Sequence, residues 1–177
     1  MCVITNTTVL NIYQTKPEEL PIVMEILGEA AAWLENKGIR QWPSPPNEYW
    51  WRRMAGHIDR GEVYLVGIGK KNVFGTVRLT WQDAYWPDDG TAVYIHSMAV
   101  RPAWHGQRVG QYLLGIAVMK AYRNKRELIR LDCLASNGRL RQYYEDQGFI
   151  YRGEVIDQDY VAALYEVDVI TAATPRQ

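Results

Sequence analysis

The apolar positions change their spacing twice along the chain. From Leu20, the residues Val23, Met24, Leu27, Ala31 and Leu34 recur every three or four positions, the stripe of an amphipathic helix. Thr15 followed by Pro17 reads as an N-cap with a first-turn proline, Glu18 and Glu19 suit the helix start, and Gly38 supplies a stop. The segment QWPSPPN, residues 41–47, holds three prolines and is expected to be irregular. A second helix is predicted from Glu48 to about Arg60, and a short strand, Val9–Tyr13, precedes the first.

Beyond Gly61 the spacing becomes two. Val63–Ile68 and Val73–Thr80 read as strands joined by a Gly-Lys-Lys-Asn hairpin turn at 69–72. A polar, aromatic loop, WQDAYWPDDG, leads into a third strand, Ala92–Val100. Helical spacing returns from about Val109 to Asn124, followed by a buried strand at Leu128–Cys133. Asn137–Gln147 is a helix closed by Gly148-Phe149, and Ile150–Val155 and Tyr160–Val169 are the last strands. The end of the chain, from about residue 170, is expected to fray. The order β-α-α-β-β-β-α-β-α-β-β predicts one mixed α/β domain over residues 1–177, a sheet with helices on both faces.

Composition narrows the function more than it changes the fold. The chain of 177 residues is one domain by size, long enough for a substantial core. Twenty basic and twenty acidic residues cancel, so no bulk field draws the protein to nucleic acid or anionic lipid. Cys2 and Cys133 offer neither a disulfide framework nor a metal-ligand spacing, which fits a reducing, cytoplasmic setting without a bound metal. No basic stretch precedes an apolar one at the N-terminus, and the apolar run near Ile26–Leu34 is broken by Glu29, so neither a signal peptide nor a membrane span is expected.

Candidate chemistry concentrates in Ala92–Leu114, AVYIHSMAVRPAWHGQRVGQYLL. A strand followed by a Pro-marked turn, a glycine-bearing loop and a helix start delivers unpaired backbone N–H groups to one point, as anion binding requires. The loop is neither a Walker loop nor GxGxxG. Gly106 and Gly110 permit close approach of backbone to a ligand and Arg108 adds charge, although the same residues also suit a plain strand-to-helix turn. Along the strand, alternation places Tyr94, His96, Met98 and Val100 on one face. His96 is its only histidine, suited by ordinary imidazole titration to take a proton near neutrality, or equally to sit as a satisfied buried ring.

Further on, residues 131–149 read LDCLASNGRLRQYYEDQGF. Together with the earlier loop this resembles the GNAT superfamily of acyl-CoA-dependent N-acetyltransferases. The family's Q/R-x-x-G-x-G/A loop falls on residues 105–110, its preceding strand on YIHSMAV, and its N…YYxxxGF motif on Asn137, Tyr144, Gly148 and Phe149. The parts match in order and spacing from about residue 62 onward. Two positions depart: His105 stands for Gln or Arg, and Arg108 for the first glycine.

The resemblance implies a GNAT-like fold, a mixed, mostly antiparallel sheet of six to seven strands flanked by about four helices. It implies direct transfer from acetyl-CoA to a primary amine, with no enzyme nucleophile and no metal. The pantetheine arm would enter between the Tyr94–Val100 and Leu128–Cys133 strands and meet Met98, Ala99 and Val100. The pyrophosphate would meet His105, Gly106, Gln107, Arg108, Val109, Gly110 and Gln111, with altered contacts at Arg108. Tyr144 would serve the leaving sulfur, and Asn137 would touch the cofactor unless it or Ser136 caps the helix. His96 or Tyr94, directly or through water, would be the base. Trp42, Trp81, Asp83 and Trp86 would receive a small cationic amine through ring faces and charge. A peptide or protein amine, a non-turnover acyl-CoA sensor and a homodimer all stay open. Nucleic acid has no motif to meet.

Overall fold

The computed structural model describes residues 10–69 and 72–173. Its elements are β1 (Asn11–Gln14), α1 (Leu20–Glu35), α2 (Glu48–Asp59), β2 (Val63–Ile68), β3 (Asn72–Thr80), β4 (Ala92–Val100), α3 (Val109–Arg123), β5 (Leu128–Leu134), α4 (Gly138–Asp146), β6 (Ile150–Asp157), β7 (Tyr160–Asp168) and α5 (Val169–Ala173). The strands form a seven-stranded sheet in the order β1-β2-β3-β4-β5-β7-β6. The β4–β5 pair is parallel, whereas β1–β2, β2–β3, β5–β7 and β6–β7 are antiparallel. The predicted element order therefore holds; Val9, the Lys70-Lys71 turn and residues 174–177 lie outside the described residues.

Two expectations need correction. Thr15 is not the N-cap: its N–H donates to the Val63 carbonyl at 2.9 Å, extending the β1 edge, and the residue is buried. Lys16 takes the cap position of a 3-10 turn, Pro17–Glu19, where the Glu19 carboxylate accepts from the Lys16 N–H at 2.9 Å. Val169, expected as the last residue of the final strand, instead opens α5 over residues 169–173. Asp168 Oδ1 accepts from the N–H groups of Ile170 and Thr171 at 2.8 and 3.2 Å, satisfying donors of the first turn.

The chain divides into two compact units, Met1–Arg78 with Ser97–Leu113, and Leu79–His96 with Leu114–Gln177. In the first, the apolar stripe of α1 (Val23, Met24, Ile26, Leu27, Ala30) packs with Met54 and Ile58 of α2 on Val63, Leu65, Val73 and Ala99. Trp42 and Trp50 lie against the edge of this core, their rings 6.0 Å apart.

In the second unit, one set of alternating residues is apolar and buried: Val93 and Ile95 on β4, Ile129, Leu131 and Cys133 on β5, Tyr165 and Val167 on β7. The other set carries charge. Tyr94, Arg130 and Glu166 occupy one cross-strand row. Arg130 donates to Glu166 at 2.7 Å, to Asp89 at 3.0 Å and to the Tyr94 hydroxyl at 3.2 Å, beneath the Trp86 ring. A buried guanidinium is tolerated here because acceptors surround it.

Candidate active site

Within the first unit, the loop after β4 is fixed from several sides. Arg101 donates its backbone N–H to Phe74 O at 2.8 Å and its Nε to Val73 O at 3.0 Å. Its guanidinium also binds the carboxylates of Glu25 and Glu29 on α1. Trp104 is buried and stacks on Phe74 with ring centroids 4.0 Å apart. The His105 ring meets the edge of Trp33 at 4.8 Å, and its Nε2 lies 3.0 Å from Val100 O. These anchors were invisible in the loop's own sequence, because each partner lies on another element.

Gly106 and Arg108 both adopt left-handed backbone, with φ of 78° and 60°. Such alternation around one residue turns successive N–H groups toward a common concavity, the geometry that cradles anions. Gly75 on β3 completes the arrangement by close approach. A Cβ there would lie 3.2 Å from Val109 Cγ1 and 2.7 Å from Val66 Cγ1, so its absence lets the first residue of α3 settle onto the strand. Arg108 O accepts from the N–H groups of Gln111 and Tyr112, opening α3 behind the loop.

The position where the resembled loop pattern has glycine thus carries an exposed arginine in left-handed backbone. A non-glycine residue there costs about 1–2 kcal/mol, partly offset by the smaller entropy of its unfolded chain. Arg108→Gly is accordingly expected to stabilise the protein by about 0.5–1 kcal/mol, read as a higher melting temperature. A lower melting temperature would show that the arginine side chain, rather than the backbone, holds the loop.

In the second unit, the parallel β4–β5 ladder covers Ala92↔Leu128 to Ile95↔Leu131. Just beyond it, His96 Nε2 lies 3.0 Å from Thr80 Oγ1 and 3.4 Å from Asp83 Oδ2. Ligand-type atoms of Asp83, His96 and Asp132 all fall within 4.8 Å of one another. Tyr160 donates to Asp132 at 3.1 Å, and Tyr85 to Asp157 at 2.7 Å. Burial first, then hydrogen bonding to these carboxylates and their charge, pushes both phenols far above the ordinary tyrosine range. Asp132, Tyr85 and Tyr160 were not singled out from the sequence, where Leu128–Cys133 reads only as a buried strand.

Tyr144 is 5% exposed, its ring against Phe149, Tyr165 and Tyr143. Complete burial, with Cys133, Tyr143 and Asp132 nearby, holds its hydroxyl protonated well above the usual range. Cys133 is also buried, and desolvation pushes its thiol up to about 12. Asn137 is the N-cap of α4, its Oδ1 accepting from Leu140 N at 3.2 Å.

The remaining candidates are dispersed. The Tyr94 hydroxyl accepts from Arg130 and donates to Pro87 O. Trp81 has Arg126 over its ring at 5.6 Å and Trp86 has Arg130 at 4.8 Å, so an arginine of the chain lies over one face of each ring. Asp83 alone of the proposed acceptor residues stands beside His96. Ser97, with φ of 46°, interrupts the two-residue alternation expected to carry on to Met98 and Val100.

Comparison with known proteins bears on the fold and the family. The model of the acetyltransferase (GNAT) family matches residues 22–149. The uncharacterized N-acetyltransferase YesJ of Bacillus subtilis is 26% identical over 159 residues, 85% of this chain and 88% of its own. A GNAT-family acetyltransferase from Listeria monocytogenes superposes with a TM-score of 0.74 at 21% identity, over 94% of this chain and 98% of that one. The structure of yncA from Salmonella typhimurium with its cofactor acetyl-CoA gives 0.68 at 14% identity, over 95% and 98%. With the family match running through both the loop and the α4 motif, the chain belongs to the acetyltransferase (GNAT) family and is an acyltransferase.

Proposed function

We propose that this acyltransferase moves the acetyl group of acetyl-CoA directly onto a primary amine, a small cationic one, within a ternary complex. Residues 1–177 act in it as one N-acetyltransferase domain. The observation that carries this reading is the left-handed backbone at Gly106 and Arg108, an arrangement suited to cradle an anion. The yncA neighbour, described with acetyl-CoA, supports the choice of co-substrate. That molecule supplies the activated carbonyl and the thiol leaving group.

The chain's own residues then have three tasks. Backbone N–H groups from Gly106 to Gly110, at the start of α3 and beside Gln111, hold the pyrophosphate, while backbone at Met98–Val100 pairs with the pantetheine amides. His96 takes the ammonium proton, and Tyr94 is the poorer base because its hydroxyl is engaged by Arg130. Tyr144 stabilises the departing sulfur. Its phenol is held so far up that complete proton transfer to a thiolate, whose acid has an ordinary pKa of about 8.5, is uphill. A hydrogen bond to the developing negative charge is the role left to it. Cys133, protonated and buried, is no acyl-carrying nucleophile, which favours attack by the amine itself. Nothing in this route calls on a metal.

The test is thiol release from acetyl-CoA across a panel of small diamines, monoamines, free amino acids and peptides with a free N-terminus or lysine. Turnover with the small cationic amines is the expected result. Turnover only with peptides would move the acceptor to protein amines. Binding of acetyl-CoA with no turnover on any amine would make the chain a sensor.

A further inference from the structure

Residues 81–91, which join β3 to β4, carry no helix or strand, so their placement depends on side-chain bonds. In the later half, Arg130 binds the Asp89 carboxylate and lies over the Trp86 ring, while Tyr94 donates to Pro87 O. In the earlier half, Asp83 Oδ1 accepts from the Tyr85 N–H at 2.8 Å and Asp83 O from the Trp86 N–H at 3.3 Å, a turn that places the Tyr85 ring. Asp83 Oδ2 lies 3.4 Å from His96 Nε2, so this one turn connects the imidazole to the Tyr85 phenol. The phenol donates in turn to Asp157 Oδ2 at 2.7 Å. Asp157 is a firm anchor. It pairs with Tyr160 at the end of the β6–β7 ladder, which closes through a tight turn with Gln158 in left-handed backbone, φ 53°. The Tyr160 hydroxyl then donates to Asp132 on β5 at 3.1 Å.

We infer that Tyr85 and Asp157 are positioning residues for the acceptor amine: their bond fastens the turn that carries Asp83 to the β6–β7 hairpin and holds it beside His96. The inference rests on the proposed role of His96 as base, since the acceptor nitrogen must reach that ring. Burial, the bond to Asp157 and the charges of Asp157, Asp132 and Asp83 keep the phenol protonated, so it stays a donor through the neutral range. Without the bond, the turn leaves its place for part of the time, and each amine that binds must first find it in position. The loss therefore falls on acceptor affinity. The cofactor, whose proposed contacts lie on β4 and the loop after it, is spared.

Two measurements test the inference on the full-length protein. Hydrogen–deuterium exchange reads the amides of residues 81–91, among them the bonded N–H groups of Tyr85 and Trp86. Tyr85→Phe and Asp157→Ala are each expected to speed exchange there and to leave β5 as in the wild type. Unchanged exchange in either variant overturns the fastening. In steady-state kinetics with a small cationic amine, each variant is expected to raise the acceptor KM roughly threefold to tenfold, with the acetyl-CoA KM unchanged. The double variant should lose no more than either single one, because there is one bond to break; additive losses overturn the inference. Asp157→Asn keeps a carbonyl oxygen that can accept from the phenol and is expected to restore the acceptor KM. Equal losses in Asp157→Asn and Asp157→Ala would show that the charge of Asp157 acts on the amine, and overturn the positioning role. Absence of turnover with every amine overturns the acetyltransferase reading instead, and the exchange data still decide whether the bond fastens the loop.

Discussion

Tyr144→Phe is expected to lower kcat roughly 100-fold and leave the acetyl-CoA KM within about twofold, the pattern of a lost donor to charge that develops only in the transition state. The substitution is conservative for packing. The ring contacts with Phe149, Tyr165 and Tyr143, at 5.6, 6.3 and 5.4 Å, are available to phenylalanine as well as tyrosine. What disappears is one hydroxyl that burial keeps protonated. Because its titration is displaced upward, ionisation of Tyr144 should add no basic limb to the wild-type pH–rate profile below about pH 10. Single-turnover measurements, with a melting curve to show that the variant is folded, check the result. A folded Tyr144→Phe enzyme with wild-type kcat would mean that another group stabilises the sulfur.

The largest expected loss of stability lies at Arg130. Its side chain is 8% exposed and that of its partner Glu166 11%, so the pair is well removed from water. Arg130→Met leaves the Glu166 carboxylate with Arg152, which is 48% exposed and a weaker compensation. Removing one member of a buried pair costs about 3–5 kcal/mol, because the remaining charge stays desolvated. For a chain of this size that corresponds to a fall in melting temperature of about 6–20 °C. Arg130→Met/Glu166→Leu should recover most of the loss, since neither charge is then stranded. Denaturant titrations of the two variants decide it. A single variant within 1 kcal/mol of wild type would show that water reaches Glu166 freely.

The two predictions mark the limits of what the chain disclosed before folding. Periodicity located α1, α2 and the strands because each buries one face against a continuous core, and that burial leaves a repeating imprint on the sequence. It failed at Thr15, where strand pairing outcompeted capping, and at residues 169–173, where a single aspartate starts a short helix. The catalytic candidates His96 and Tyr144 were legible through strand alternation and the α4 motif. Thr80 and Asp132 were not, because their relation to His96 exists only across strands. Trp81 and Trp86 were legible as cation-binding rings, but not the arginines that lie over one face of each, which come from a distant part of the chain. A ring face does not reveal its occupant from local sequence.

Arg108 carries a wider consequence. A signature written in letters demands glycine there, since glycine is the residue to which that region of backbone space is most open. This chain meets the same demand with arginine, at a penalty small beside the total stability of a domain. Here a left-handed φ stands where the pattern has its glycine, so the letter can change while that region of backbone space stays occupied. Searches that score dihedral compatibility instead of identity would admit relatives that a glycine-bound pattern discards.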